Sequence, residues 1–361
     1  MRILSLLPLA AFLLLSCGSE SPDLIQQYEA AWEIDLAPNN VTEKFAASRL
    51  LLLDDQSTLV VANGITNQLV GDVTRLTIVS PDGQRTGLSE INSYMGWSIL
   101  DPSGNYRFLS DSVYIINQNL SLIAKTPLPF IRFGLSAFNS QSLIYLDFFS
   151  SQPAITSYDF NGKILWSNPA NTMGCGGSYM SIQMDELNAG MLAKAEGIEQ
   201  DTFRITNFDP RTGNLKWSRE YLSEKLFPGT RLIPKPVWTT NYSGVNLFGI
   251  DPATRNLFVA SVTNAGIGRK LRTELPDISF SYLVTAFKTK DGGFLFGLNG
   301  NQQADYFSYR LVKIDRNGNP GWVGTFTNPG DDYLVDMVER ADGTVIALSA
   351  QGVVTAYKPV Y

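Results

Sequence analysis

From Ala30 to the last residue, the chain alternates short apolar, β-branched or aromatic runs with polar turns that contain glycine. The runs include 58–62, 75–79, 112–116, 143–148, 203–208, 257–262, 294–298, 309–314 and 344–348. Between them fall Asp82-Gly83, Ser103-Gly104, Asn161-Gly162, Thr212-Gly213, Asp291-Gly292-Gly293, Asn317-Gly318, Asp342-Gly343 and Gln351-Gly352. Period-two runs bounded by such turns predict strands and hairpins. No amphipathic helix of three turns interrupts them. An all-β domain of this length is too long for one sandwich and suits radial repetition.

Repetition is visible directly. Asp159 to Trp166, Asp209 to Trp217 and Asp315 to Trp322 each read as a strand end, a tight Gly turn and a second strand bearing Trp. Trp166 and Trp217 are 51 residues apart, and Trp217 and Trp322 are 105 apart, so one degenerate copy lies between the last two. Weaker outer-strand markers fall at 85–88, 122–126 and 270–273. The segment Ala31 to Leu36, with Trp32, looks like an outer strand with no inner strands before it, whereas the C-terminus ends one strand short. Pairing the two closes the ring and removes both free edges. The expected fold is a single β-propeller over 31–361 with seven four-stranded blades. Six or eight stay open, because 222–275 divides poorly: Pro228, Pro234 and Pro236 suggest a long loop before a strand at 237–240.

The N-terminus carries a different pattern. Arg2 precedes an apolar stretch from Ile3 to Leu15, then Ser16 and Cys17. Thirteen helical residues rise only about 20 Å, short of a ~30 Å hydrocarbon core, so this is a secretory signal and not a span. The pattern resembles the bacterial lipoprotein signal. That resemblance implies a signal peptide over 1–16, lipid attachment at Cys17, and an envelope location on the membrane through the anchor. With Gly18 after the Cys, the outer membrane is favoured. Residues 17–30 are expected to be a tether, with a helical turn around Leu24 to Tyr28.

Composition narrows the chemistry. Apolar residues make up 44% and charged residues 17%, as in a folded, turn-rich domain. Acidic residues outnumber basic ones by 34 to 28 with no Lys/Arg cluster, which argues against nucleic acid as a partner. Of the two cysteines, lipidation would consume Cys17, which leaves Cys175 without an intramolecular partner. Histidine is absent, which excludes Ser-His-Asp and Cys-His mechanisms and His-ligated metals. The paired acids Asp54-Asp55 and Asp331-Asp332 read as solvated turn residues, since neighbours in a strand point to opposite faces. Asp315 to Asn319 starts like a calcium loop, but Pro320 and Phe326 stand where an EF-hand needs Gly and Glu, so a hairpin turn is expected. No catalytic residue, metal site or cofactor is expected.

The phrase from Phe208 to Trp217, with Asp, a Thr-Gly turn and a following Trp, resembles the repeat of PQQ-like (quinoprotein dehydrogenase-like) propellers. Tyr158 to Trp166 is a second copy. The hairpins around Asp291-Gly292-Gly293 and Asp342-Gly343 resemble the Asp-Gly-Gly repeats of other bacterial propellers. The resemblance implies that each Trp packs between blades and each Gly supplies a positive φ. Cys175 has no cysteine neighbour and no position matches a calcium cluster, so quinone binding is not implied.

One feature concerns recognition. Tyr94, Trp97, Tyr179, Trp238, Tyr282 and Tyr333 recur at or just before expected inner strands. Such starts cluster at one mouth of a propeller channel, and Trp97, Tyr179, Trp238, Tyr282 and Tyr333 form the candidate binding mouth. The leading expectation is a non-enzymatic binding or scaffold module for an envelope protein partner. The alternative is a carbohydrate-active or glycan-binding propeller that uses carboxylates and aromatics at the mouth.

Overall fold

The computed structural model describes residues 27–36, 43–66, 72–93, 97–100, 103–110, 112–128, 135–139, 141–146, 154–169, 180–195, 202–227, 235–239, 243–251, 253–275, 280, 282–300, 308–327 and 333–360. Seven four-stranded antiparallel sheets account for them. Blades one to six are consecutive meanders over 43–91, 97–127, 135–169, 180–222, 235–274 and 282–327. Blade seven takes three strands from 334–360 and its fourth, Gln27–Asp35, from the N-terminus. That strand runs antiparallel to Val353–Val360, from Gln27 opposite Val360 to Asp35 opposite Val353. The expected closure is therefore present, although the strand starts at Gln27 and not at residue 31. Gln27 and Tyr28 are strand, so the helical turn expected there does not form.

The burial pattern explains why each blade reads as it does. Its second strand lies between two neighbouring blades and is covered on both faces, so Ser142–Leu146, Phe294–Asn299 and Val345–Ser349 are buried throughout. Outer strands alternate between exposed and half-buried, as in Arg85–Ile91 and Ile164–Pro169. The apolar interior is divided into seven clusters, each spanning one joint between adjacent blades. The joint between blades seven and one is typical: Val354 and Ile346 pack with Val60 and Val79.

Blade five resolves the segment that divides poorly in sequence. Its strands are Lys235–Trp238, Gly244–Asp251, Asn256–Thr263 and Gly266–Glu274. Pro236 is inside the first strand, not in a loop ahead of it. That strand is the inner edge of its sheet, where a missing N–H costs no ladder bond. The short helix Ser223–Leu226 follows the outer strand of blade four.

Because every blade is a meander that begins with its innermost strand, all inner strands run the same way along the axis. We call the face where they begin the inlet face and the face where they end the outlet face. The turn between third and fourth strands lies on the outlet face, and so does Gln27, at the Val360 end of its strand.

Candidate functional site

The inner strands of blades one, six and seven carry a β-bulge at corresponding positions, with the register slipping between Ala47 and Arg49, Leu283 and Thr285, and Leu334 and Asp336. A bulge frees ladder groups and re-aims the following side chain. Both effects are used here. The carbonyl freed at Val284 accepts a hydrogen bond from the Lys235 ammonium of blade five. Asp336 turns toward blade one, where its Oδ2 accepts the Leu50 amide at 3.0 Å, while its Oδ1 accepts the Met337 amide at 2.9 Å.

Arg49, Lys235 and Asp336 thus form a charged group that ties blades one, five, six and seven around the axis. Burial pushes the Asp336 carboxyl up, against the pull of the Leu50 amide and Arg49. Burial pushes Lys235 down, against Asp336. Arg49 is lowered by burial and supported by Asp336; a guanidinium stays protonated regardless. One carboxylate thus faces two cations from other blades, and Arg49 adds to the downward push on Lys235.

Asp336 lies three residues beyond Tyr333, about 10 Å along a strand, so the mouth stands directly above this group. Tyr282 is the first residue of the inner strand of blade six, and Tyr333 immediately precedes that of blade seven. They are 48% and 46% exposed, the largest aromatic exposures among the described residues. Buried Asn299 links their surroundings: its Nδ2 donates to the Tyr282 hydroxyl at 2.8 Å and to the Leu334 carbonyl at 3.1 Å, and its Oδ1 accepts the Leu334 amide at 2.9 Å. The Tyr333 carbonyl accepts the Ala350 amide at 2.9 Å. Of these two solvent-facing tyrosines on adjacent blades, Tyr282 is therefore held by its hydroxyl and Tyr333 by its backbone.

The other mouth residues divide. Trp97 opens the inner strand of blade two at the inlet face. Tyr179, Cys17, Cys175 and Asp331-Asp332 lie outside the described residues. Trp238 is a correction: it ends its inner strand at the outlet side and is 8% exposed. It packs against Trp217 with ring centroids 6.0 Å apart. A Cβ on Gly190 would lie 2.2 Å from the Trp238 ring, so the ring fills the joint between blades four and five. The strand begins two residues earlier than the prolines suggest, which carries Trp238 from its start to its end.

The acidic turns behave as expected where they are described. Asp55 caps its own turn through the Ser57 amide at 2.9 Å and hydroxyl at 3.0 Å. Asp315 Oδ1 accepts the amides of Asn317 and Asn319, which makes 315–319 a hairpin turn. Asp54 and Asp55 also border a cleft between blades one and two, with Gln118, Asn119 and buried Tyr106. Arg49, Lys235 and Asp336 went unread in the sequence; the available signal was a lone charge in an apolar inner strand, as in Arg49-Leu-Leu-Leu.

No protein-family model matches the chain, and no curated protein matches its sequence. Solved structures do. The hydrazine synthase of Kuenenia stuttgartiensis is 12% identical at a TM-score of 0.57, covering 89% of this chain and 98% of that one. The Pan2 WD40 domain of Neurospora crassa is 11% identical at 0.55, covering 93% and 97%. YCF48 from Cyanidioschyzon merolae is 11% identical at 0.52, covering 92% and 98%. At such identity the likeness extends to the propeller fold alone.

Proposed function

We propose that this chain is a lipid-anchored protein of the bacterial envelope, on the outer membrane, whose PQQ-like propeller binds a protein partner at its inlet mouth and catalyses no reaction. The observation that carries this reading is the pair of exposed tyrosines, Tyr282 and Tyr333, on adjacent blades. Aromatic side chains that stand in solvent are frequent anchors of protein interfaces, and the Tyr282 hydroxyl is already held by Asn299. WD40 propellers among the similar structures suit the same use of the fold.

The direction of the first strand supports the anchor. Gln27 is on the outlet face, so a tether from Cys17 leaves the propeller opposite the tyrosines. Its ten residues, 27 minus 17, reach about 35 Å when extended, leaving the inlet mouth turned away from the bilayer. A glycan-directed reading draws on the Asp54-Asp55 cleft, but Tyr106 there is 2% exposed and offers no stacking platform.

The test is an affinity capture from crosslinked envelopes with the lipidated chain, Cys17→Ala, and Tyr282→Ala/Tyr333→Ala. A defined protein set captured by the native chain and lost with the tyrosine variant, at unchanged folding, is the expected result. Capture of polysaccharide in place of protein, or capture indifferent to the tyrosines, refutes the proposal.

A further inference from the structure

Among the described residues, seven exposed large apolar side chains lie at strand ends or turns on the outlet side, and two more, the tyrosines, lie at the inlet. The outlet set is concentrated. In each of blades one to four and six, one position opens the outer strand just after the turn and pairs with the end of the third strand: Arg85 with Val79, Leu122 with Ile116, Ile164 with Tyr158, Leu215 with Phe208, Pro320 with Ile314. Three consecutive blades place Leu122, Ile164 and Leu215 there, 50%, 56% and 55% exposed. Ile123 and Leu165 follow them and are also exposed. On blade four the stripe continues to Leu187 in the inner hairpin turn, whose carbonyl accepts the Lys216 ammonium at 2.6 Å. None of the seven joints uses these side chains as buried core.

We infer that this stripe is a membrane-contacting edge, and that the propeller rests its outlet face on a lipid surface. The inference rests on the anchor reading in part, since that reading supplies the bilayer. Two observations choose lipid as the occupant of these side chains, which sit at turn ends on one face. Exposed Lys163 flanks Ile164, and the carboxylate of the same turn, Asp159, is engaged by the Asn161 and Lys163 amides, as in interfacial elements where cationic heads stay at the headgroup level. The tether that the anchor reading places between Cys17 and Gln27 joins the propeller on the same face. An acylated tether and an apolar edge then act as two signals at one surface, whereas a single acyl chain binds only marginally.

The experiment uses the mature chain carrying Cys17→Ala, so that no acyl group contributes, with vesicles of phosphatidylethanolamine and a minority of phosphatidylglycerol. The comparison variants are Leu122→Ser/Ile123→Ser/Ile164→Ser/Leu165→Ser and, as a control of equal chemistry elsewhere on the outer strands, Leu88→Ser/Val323→Ser. Co-sedimentation is expected to fall by about tenfold or more for the stripe variant and to stay level for the control. Equal losses in both, no loss in the stripe variant, or no binding by the Cys17→Ala chain overturns the inference. So does a stripe-dependent dimer in sedimentation velocity without vesicle binding, which would assign the stripe to a second copy. The mass of the N-terminal peptide from envelopes tests acylation separately. Stripe-dependent binding without acylation removes the anchor and keeps the edge; acylation with an indifferent stripe does the reverse.

Discussion

The joint between blades three and four and the joint between blades five and six follow one plan with different parts. In the first, Trp166 on the outer strand lies over the turn of the next blade. Its Nε1 donates to the Pro210 carbonyl at 2.7 Å, its ring meets Phe208 edge-on at 5.9 Å, and Asn168 Nδ2 donates to the Gly213 carbonyl at 3.1 Å. In the second, Leu271 lies over Gly318 and the Thr273 hydroxyl donates to the Gly318 carbonyl. Trp166 and Leu271 each stand three residues before the end of their strand, at Pro169 and Glu274. The degenerate repeat therefore keeps an apolar lid over the turn glycine and a side-chain donor to its carbonyl, and dispenses with the indole. The seam of blades seven and one is of the first kind: Trp32 Nε1 donates to Pro81 O at 3.0 Å, joined by Arg340 Nη1 at 2.8 Å.

If the indole adds area and a hydrogen bond to a joint that a leucine alone can close, truncation should separate the two joints most. Trp166→Ala is expected to destabilise by about 3–5 kcal/mol and Leu271→Ala by about 2 kcal/mol. Urea unfolding midpoints at constant slope measure both. Equal losses would mean that the two lids are equivalent and that the shared plan is only a coincidence of register.

The glycines sharpen the comparison at smaller cost. Gly213 and Gly318 both hold positive φ, 71° and 88°. A Cβ on Gly213 would lie 2.7 Å from the Trp166 ring, whereas on Gly318 it would lie 3.3 Å from Leu271. Both substitutions carry backbone strain of about 1 kcal/mol, and only Gly213→Ala adds overlap of about 1–3 kcal/mol. Gly213→Ala should therefore cost about 3 kcal/mol and Gly318→Ala about 1 kcal/mol. In a Trp166→Ala background the ring overlap is gone and only the movable Asn168 amide, 2.7 Å away, is left, so the added cost of Gly213→Ala should fall to about 1 kcal/mol. Additive losses would show that the ring and the glycine do not meet in solution.

These joints also mark how far sequence reaches. Trp and a turn Gly are legible because each answers to a local demand, bulk in one case and positive φ in the other. Residues 270–273 are legible only as a weak outer-strand marker, since Leu and Thr at those places look like any strand. The ring closure is legible because a surplus strand at one terminus matches a deficit at the other. Tyr282 and Tyr333 could be found because turn signals precede them, while Trp238 was displaced by reading Pro236 as loop. Arg49, Lys235 and Asp336 leave only a faint local trace, a lone charge in an apolar strand, and nothing local joins them: Arg49 and Asp336 are 287 positions apart and meet only through the curvature of the ring. The outlet stripe is hidden for the same reason, because Leu122, Ile164 and Leu215 are equivalent only once hairpin registers are known.

The acids that begin the two turns give the smallest and most selective contrast. Burial pushes both Asp209 and Asp315 up, and in both the opposing interactions prevail and leave the carboxyl below its ordinary range. At Asp315 these are hydrogen bonds from Asn319, Asn317 and Gly318. At Asp209 the Arg211 amide and guanidinium contribute together with the charges of Arg211 and Lys216. A folded pKa below the unfolded value of about 3.9 gives stability that is present above that value and is lost as pH falls through the folded pKa. Both turns should therefore weaken at acid pH. Only Asp209 should respond to salt, because at about 1 M ionic strength the Debye length contracts to about 3 Å and screens exposed cations but not short hydrogen bonds. Carboxyl carbon NMR titrations in low and high salt are expected to show the Asp209 pKa rising toward the ordinary value while that of Asp315 stays in place. Movement of both, or of neither, would mean that the two turns are held by the same forces after all, and that the joints differ only in the lids that cover them.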